Sequence, residues 1–245
     1  MHPEIFIIPS YSLFASIGLF TMMVLIYYRS KRMDMAFKRM LFLIGCEVIG
    51  AGLGSKLLFI ITQIPKIIND FTLHNTLYII ATSGFVFYGG LFGAILGTVC
   101  FARYYKYDLC TIFNIVTPGF AAFHMWGRIG CFFAGCCYGK PAQWGFALYR
   151  EPDVLRIPIQ LIESACILMI LCILLIIEKR SRGFVKLLNV YLGLYASCRF
   201  VLEFWRGDEV RGIWFGLSTS QIVSILILIV LCTKAIGNCI HSSLA

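Results

Sequence analysis

The stretch HMWGRIGCFFAGCCYGKP (His124–Pro141) ends a long apolar segment and carries one arginine, three cysteines and four glycines. A permanently charged guanidinium near a membrane is costly unless it meets an anion, and the planar fork of Arg128 suits phosphate. Glycines spaced three to five residues apart, as here, let backbones approach closely or expose amide groups to a ligand. We therefore predict an anion site where a membrane helix ends. The alternatives are an arginine that reaches lipid headgroups and glycines that only pack helices.

The composition of the chain is that of an integral membrane protein. Of its 245 residues, 60% are hydrophobic and 13% are charged, and the mean hydropathy is +0.85, whereas soluble domains average about 25% charged residues. Apolar runs of the roughly 17 to 25 residues that cross a bilayer recur along the whole chain. We predict an all-α membrane protein, with about seven transmembrane helices in a single integral membrane domain, 1–245. The predicted spans are 8–28, 41–62, 83–102, 109–127, 159–177, 187–205 and 216–233.

The positive charges predict the topology. Twelve of the 21 Lys and Arg residues lie in the connections after the first, third and fifth spans or just after the last one. By the positive-inside rule this side is cytoplasmic, which places the N-terminus outside and the C-terminus in the cytoplasm. The net charge of +9 then reflects topology and contact with anionic membrane lipids, and we predict no nucleic-acid partner. The connections 63–82, 128–158 and 206–215 lie on the outer side.

Two further passages place charged side chains in the outer half of the membrane. In YASCRFVLEFWRGDE, Arg199 and Glu203 stand four residues apart, so on a helix they share one face and can form an ion pair. PIQLIES opens the fifth span with Gln160 and Glu163 one helical turn apart. Membrane-embedded charges usually face a cavity and mark a functional site. A purely structural ion pair and a polar helix entrance are the alternatives.

The passage FVFYGGLFGAILG opens the third span with Tyr88, Gly89 and Gly90, and two more glycines follow at helical spacing. Small residues at this spacing are also typical of a face on which two membrane helices pack. The passage is therefore either a helix-packing face or a fourth contribution to the outer site.

Most of the 11 cysteines lie inside apolar runs, where a free thiol behaves as a small hydrophobe. Cys131, Cys136 and Cys137 are different, because a disulfide, a metal ion or a covalent intermediate could each explain them. No CxxC pair accompanies them, and His124 is the one nearby histidine. We therefore predict neither a metal nor a cofactor.

These passages together resemble the prolipoprotein diacylglyceryl transferases of bacteria, whose signatures run roughly HGGLIG, GRIGNFINGELYGRP, HPTQLYES and RFxxEFxR. The matching stretches here read YGGLFG, GRIGCFFAGCCYGKP, IPIQLIES and RFVLEFWR, and the early IPSYSLFASIG is similar to the family's opening tyrosine motif. The resemblance covers nearly the whole chain, in order. It implies a multi-pass protein of the bacterial plasma (inner) membrane whose active site faces the outer leaflet.

The resemblance also implies an activity. A family member takes the diacylglyceryl group from phosphatidylglycerol and places it on the lipobox cysteine thiol in the signal peptide of a preprolipoprotein, forming a thioether and releasing glycerol phosphate. The catalytic residues it implies are Arg128, Arg199, Glu203 and Tyr88. The substrate-binding residues it implies are Tyr11, Gly89, Gly90, Cys131, Gly139, Gln160 and Glu163.

The chain departs from the family's signatures at three polar positions. Tyr88 stands where the family has histidine, and Cys131 and Cys136 stand where it has asparagine and glutamate. The arginines that suit the lipid phosphate are present, so the departures concern the acceptor chemistry. Two alternatives stay open: a paralogue that uses the same lipid site on a different acceptor, and a non-catalytic lipid-binding membrane protein.

Overall fold

The computed structural model describes residues 4–5, 8–69, 72, 87–180, 186–207, 213–214 and 216–243. Within them the chain forms seven α-helices, joined by short antiparallel strand pairs and turns. The helices are α1 Ser10–Lys31, α2 Phe37–Asn69, α3 Phe87–Tyr104, α4 Leu109–Ala134, α5 Ile159–Arg180, α6 Leu187–Leu202 and α7 Thr219–Ser243. The paired strands are β1 Glu4–Ile5 with β2 Ile8–Pro9, β3 Pro141–Leu148 with β4 Glu151–Arg156, and β5 Ile213–Trp214 with β6 Leu217–Ser218.

The predicted class, an all-α membrane protein, is confirmed. Among the described residues, five helical segments are long and apolar enough to cross a bilayer, and two shorter apolar helices accompany them. The five are Ser10–Lys31, Phe37–Ile61, Leu109–Ala134, Ile159–Arg180 and Leu187–Trp205, and the shorter two are Gly89–Tyr104 and Thr219–Ala235. The number of seven spans and the orientation of the termini stay predictions.

The helix boundaries differ from the predicted spans in one way that matters for the site. Helix α4 continues to Ala134, whereas the fourth span was predicted to end at 127. Its apolar face continues through Phe132 and Phe133, so Arg128 lies inside a helix and not in a connection. Much of the predicted outer connection 63–82 lies outside the described residues.

The chain divides into two compact units, residues 1–26 with 114–245, and residues 27–113. The prediction of a single domain over 1–245 therefore stays a prediction. In the first unit the buried core joins the small residues Ala121 and Ala122 of α4 to the aliphatic face of α5 and to Tyr191 of α6. Small side chains on α4 let bulkier neighbours pack closely against it, and α6 also packs against α7.

In the second unit, α2 and α3 pack through a seam of glycines. A Cβ at Gly93 would overlap the carbonyl oxygen of Gly50, and a Cβ at Gly89 would overlap that of Gly54. Gly90 also has little room for a side chain, because a Cβ there would lie 2.6 Å from the hydroxyl oxygen of Ser55. Helix packing therefore accounts for Gly89 and Gly90, and their predicted contact with substrate stays a prediction.

A short extended segment, Tyr138–Lys140, connects the ends of three helices in the first unit. Its Lys140 amide donates to the carbonyl of Trp205 (2.9 Å), and the Gly207 amide donates to the carbonyl of Tyr138 (2.9 Å). On the other side, the Ile157 amide donates to the carbonyl of Lys140 (3.1 Å). The exit of α4 is thereby tied to the entrance of α5 and to the end of α6.

Gly139 lies in the middle of this segment, pairs with Arg206 in a β-bridge, and has no room for a side chain. A Cβ at this position would overlap the carbonyl oxygen of Ile157. The glycine is thus required by the close approach of two backbones.

The glycine seam predicts opposite effects for two similar substitutions in the second unit. Gly93→Ala should destabilise the protein by about 1–3 kcal/mol, because the added methyl group overlaps backbone. Gly52→Ala is the matched control: a Cβ there meets nothing within 4 Å, and alanine favours a helix by about 1 kcal/mol over glycine. Thermal unfolding of the detergent-purified variants measures both effects. Equal or higher midpoints for both variants would contradict the seam.

Candidate active site

Two arginines from different helices converge on one buried carboxylate. Arg128 of α4 places its Nε 3.2 Å from Oε1 of Glu163, which lies in the first turns of α5. Arg199 of α6 places its Nη1 3.6 Å from Oε2 of the same carboxylate. The side chains are 11%, 3% and 7% exposed for Arg128, Glu163 and Arg199. Both guanidiniums therefore contact one carboxylate, and their binding to a single lipid headgroup stays a prediction.

A second carboxylate completes the charge balance. Arg199 Nη2 lies 2.8 Å from Oε2 of Glu203, the ion pair that their spacing predicts. Glu203 lies just beyond α6, in a 3-10 turn that continues to Trp205. Arg199 Nη2 also donates to the hydroxyl of Ser220 in α7 (3.2 Å). Arg199 therefore joins α5, α6 and α7 through one guanidinium.

Helix α6 presents the other polar partners in a single row. The Tyr195 hydroxyl donates to Oε1 of Glu163 (2.8 Å), and the Tyr191 hydroxyl lies 2.7 Å from Nδ1 of His124. Tyr191, Tyr195 and Arg199 follow one another at intervals of four residues, which places them on one helix face. Their rings support the row, since Tyr191 and Tyr195 stack with centroids 5.8 Å apart.

His124, Tyr191, Tyr195 and Ser220 are site residues that the sequence analysis missed. The four-residue spacing could have revealed both tyrosines, because it continues the register of Arg199 and Glu203. The same spacing relates His124 to Arg128 on α4.

The turn after α4 brings the three singled-out cysteines together. The sulfur atoms of Cys131, Cys136 and Cys137 all lie within 4.8 Å of one another, and all three are free thiols. The chain reverses through positive φ angles, +72° at Gly135 and +58° at Cys137. Such an angle is uncommon and strained for a residue other than glycine.

Polar contacts fix this turn beside the arginines. The Gln160 Nε2 group donates to the carbonyl of Cys136 (2.8 Å), which ties the turn to the start of α5. Hydrogen bonds from the thiols of Cys131 and Cys136, together with the charges of Arg206 and Arg128, hold the pKa of the Cys137 thiol well below its ordinary value. The Cys137 thiol therefore interacts first with the other two thiols and then with the charges of Arg206 and Arg128.

Tyr11, near the start of α1, packs its ring against the backbone at Gly130. A Cβ at Gly130 would lie 3.3 Å from Cδ2 of the tyrosine. The Tyr11 side chain is about half exposed, and it lies within electrostatic reach of Arg128 and of the three cysteines.

The first unit therefore holds most of the predicted site residues. They are Tyr11, Arg128, Cys131, Gly139, Gln160, Glu163, Arg199 and Glu203. Tyr88, Gly89 and Gly90 belong to the second unit, in the first turn of α3. The side chain of Tyr88 lies outside the part of the chain that the structure describes. The roles assigned to all these residues stay predictions.

The fold and this cluster define a multi-pass membrane protein with a buried arginine–carboxylate site. The family model described as "Prolipoprotein diacylglyceryl transferase" matches residues 3–236. The chain belongs to this family.

Curated relatives agree with the family match. A protein of Clostridium tetani named phosphatidylglycerol–prolipoprotein diacylglyceryl transferase is 29% identical over 226 residues, covering 90% of this chain and 89% of the relative. A second transferase of that name from Clostridium perfringens is 34% identical over 188 residues, covering 74% and 72%. A protein of the same name from Dehalococcoides mccartyi is 26% identical over 226 residues, covering 89% and 84%.

The shared carboxylate predicts a large difference between two Glu→Gln variants. Glu163→Gln removes the charge that balances two buried guanidiniums, and loss of one partner from a buried ion pair costs about 3 kcal/mol or more. Glu151→Gln is the control, because Glu151 pairs with Arg156 at 2.6 Å but is 48% exposed, and exposed pairs contribute about 1 kcal/mol at most.

Urea-dependent or thermal unfolding of the two purified variants makes this comparison. A Glu163→Gln protein as stable as Glu151→Gln would show that the two arginines do not depend on the shared carboxylate.

Proposed function

We propose that this protein transfers the diacylglyceryl group of phosphatidylglycerol to the lipobox cysteine of a preprolipoprotein and releases glycerol phosphate. The observation that carries the proposal is the convergence of Arg128 and Arg199 on Glu163 inside the helices. The names of the relatives, which include phosphatidylglycerol and prolipoprotein, agree with this substrate pair.

The donor phosphate binds at the two guanidiniums. Arg128 meets Glu163 through Nε, and Arg199 meets it through Nη1, so the carboxylate holds both side chains in place before any lipid arrives. Each guanidinium has five N–H donors in a fixed fork, a geometry that matches phosphate oxygens. The lipid phosphate shares or replaces the contacts that the Glu163 carboxylate makes.

The chemical step is a displacement at the glyceryl carbon that bears the phosphate. The acceptor sulfur forms a bond to this carbon while the carbon–oxygen bond to phosphate breaks, and the electron pair stays on the phosphate oxygen. Charge therefore grows on the leaving phosphate, where fixed guanidiniums in a medium of low polarity stabilise it without reorganising.

The acceptor must be present as a thiolate, because the thiol itself is a weak nucleophile. Glu203 forms an ion pair with Arg199 at 2.8 Å, so its carboxylate already has a partner in this structure. A tyrosine hydroxyl such as that of Tyr88 is a poor base at neutral pH, so we assign Tyr88 to orientation of a substrate. We assign the remaining substrate contacts to Tyr11, to Gln160 and to the extended segment at Gly139.

We place the protein in the bacterial plasma membrane with this site open to the outer leaflet. The charge bias of the connections supports this orientation. The signal peptide of a secreted preprolipoprotein presents its cysteine to this leaflet, where phosphatidylglycerol is also present.

The two arginines predict the response of activity to conservative substitution. Purified protein is incubated with acyl-labelled phosphatidylglycerol and a lipobox peptide, and the lipidated peptide is counted. Arg128→Lys and Arg199→Lys should each lower kcat by about 10²–10³, as for loss of one donor to a developing oxyanion. Arg150→Lys is the control, since Arg150 is exposed in the turn of the β3–β4 hairpin, and it should retain full activity.

Complementation of a transferase-deficient bacterium tests the same proposal in cells. Consumption of the lipid without lipidation of the peptide would indicate a different acceptor. Lipid binding that depends on both arginines but gives no turnover would identify a non-catalytic protein, and either result would refute the transferase assignment.

A further inference from the structure

The three cysteine sulfurs form a preorganised set of metal ligands. Cys131 lies in the last turn of α4, and the Cys136 amide donates back to the Cys131 carbonyl (3.1 Å). The positive φ at Cys137 then returns the third sulfur toward the first two. Strained backbone of this kind persists only where its surroundings hold it, and it concentrates at functional sites.

The spacing of the sulfurs fits a tetrahedral zinc ion closely. A zinc–sulfur bond of about 2.3 Å places two tetrahedral thiolate ligands about 3.8 Å apart. The observed limit of 4.8 Å between the sulfurs is about 1 Å wider, a change that side-chain rotation supplies. A purely thiolate ligand set selects soft cations, of which zinc is the one suited to tetrahedral sulfur coordination.

The surroundings suit the charge of such a complex. One Zn²⁺ with three thiolates carries a single negative charge, and two guanidiniums lie near it. Arg128 precedes Cys131 by three residues on α4, which places both on one helix face. The backbone of Arg206 pairs with that of Gly139, two residues beyond Cys137.

A further contact holds the backbone of the cysteine turn in place. The Gln160 side chain donates a hydrogen bond to the Cys136 carbonyl, an outer contact of the kind that orients metal ligands.

The ligand set leaves one position open. Within the described residues, no further histidine, cysteine, aspartate or glutamate joins this group. Structural zinc sites take four protein ligands, whereas catalytic sites take three and bind water or substrate in the fourth position. Cys136 is exposed, so the open position is accessible to a ligand from outside.

We propose that Cys131, Cys136 and Cys137 bind one Zn²⁺ ion, and that this ion holds the acceptor cysteine as a thiolate in its fourth position. The inference rests on the transferase function proposed above and deepens it. It gives the acceptor its nucleophilic form without a side-chain base, a role for which a tyrosine hydroxyl such as that of Tyr88 is poorly suited at neutral pH.

The step balances without any oxidation or reduction. The acceptor thiol displaces a water molecule from zinc and gives its proton to solvent, because a metal-coordinated thiol is deprotonated outright. The sulfur then bonds to the glyceryl carbon, and the carbon–oxygen bond to phosphate breaks. The neutral thioether leaves zinc, water returns, and the glycerol phosphate departs with the electron pair.

This proposal reverses the expectation of no metal that the sequence analysis gave. That expectation relied on the absence of a CxxC pair. The turn through Gly135 and Cys137 replaces such a pair, because it folds two adjacent cysteines back against one in the preceding helix.

Metal content is the first test and does not depend on activity. The full chain, purified in detergent under reducing conditions, should contain about one Zn²⁺ per molecule by mass spectrometry. Replacement by Co²⁺ should give sulfur-to-metal charge-transfer absorption. Cys131→Ser, Cys136→Ser and Cys137→Ser should each lose both signals, whereas Cys172→Ser, at an exposed position of α5, should keep them. A wild-type protein that binds neither ion overturns the proposal.

The pH dependence of the metal-free protein is the second test. A free thiol with a pKa of about 8.5 is only a few per cent ionised at pH 7, so chelated wild-type protein should transfer lipid about thirtyfold more slowly at this pH. Its rate should then rise about tenfold per pH unit toward pH 8.5, because the thiolate fraction does so. The zinc-loaded protein should show little slope, and added Zn²⁺ should restore the rate.

The outcomes separate the two proposals. Full transfer by metal-free protein, with no change in pH profile, overturns the zinc site and leaves the transferase function standing. Stoichiometric zinc binding without transfer under any condition refutes the proposed function, and with it the role of the ion in activating the acceptor. The chelated wild-type chain covers the case in which a cysteine variant fails to fold.

Discussion

The shared carboxylate of Glu163 is the interaction on which this structure depends. Charged groups are expensive within a membrane unless they are paired, and here two guanidiniums from α4 and α6 meet one carboxylate from α5. Breaking such a set leaves an uncompensated buried charge, which costs far more than the set contributes when intact. The helices that carry the site are therefore held together by the charges of the site itself. In the proposed function, the same three side chains serve both stability and anion binding.

The sequence revealed those features of the site that depend on local spacing. The helices follow from long apolar runs, and the ion pair of Arg199 with Glu203 follows from a four-residue interval. The contact of Arg128 with Glu163 joins residues 35 positions apart, so nothing in the local pattern could identify it. Tyr195 is an intermediate case, since its interval from Arg199 was visible while its partner on α5 was not.

Two predictions show how packing changes the interpretation of a motif. Gly89 and Gly90 were assigned to substrate through a family resemblance, and the structure supplies a sufficient packing reason for both in the seam with α2. For the cysteines the structure changes the interpretation in the opposite direction, from residues with no predicted ligand to a proposed metal site. Their spacing gave no metal signature, because the meeting of their sulfurs depends on left-handed backbone at Gly135 and Cys137, which the residue types alone do not specify.

The segment Tyr138–Lys140 is joined to its neighbours on both sides through amides and carbonyls. Peptide groups are the same in every residue except proline, so the alignment of these helix ends does not rely on which side chains the segment carries. Only the space at Gly139 is restricted. Residues in the turn just before it can therefore vary while the ends of the helices keep their alignment. Under the two proposals made above, such a fold can change the group that activates the acceptor without rebuilding the pocket for the donor.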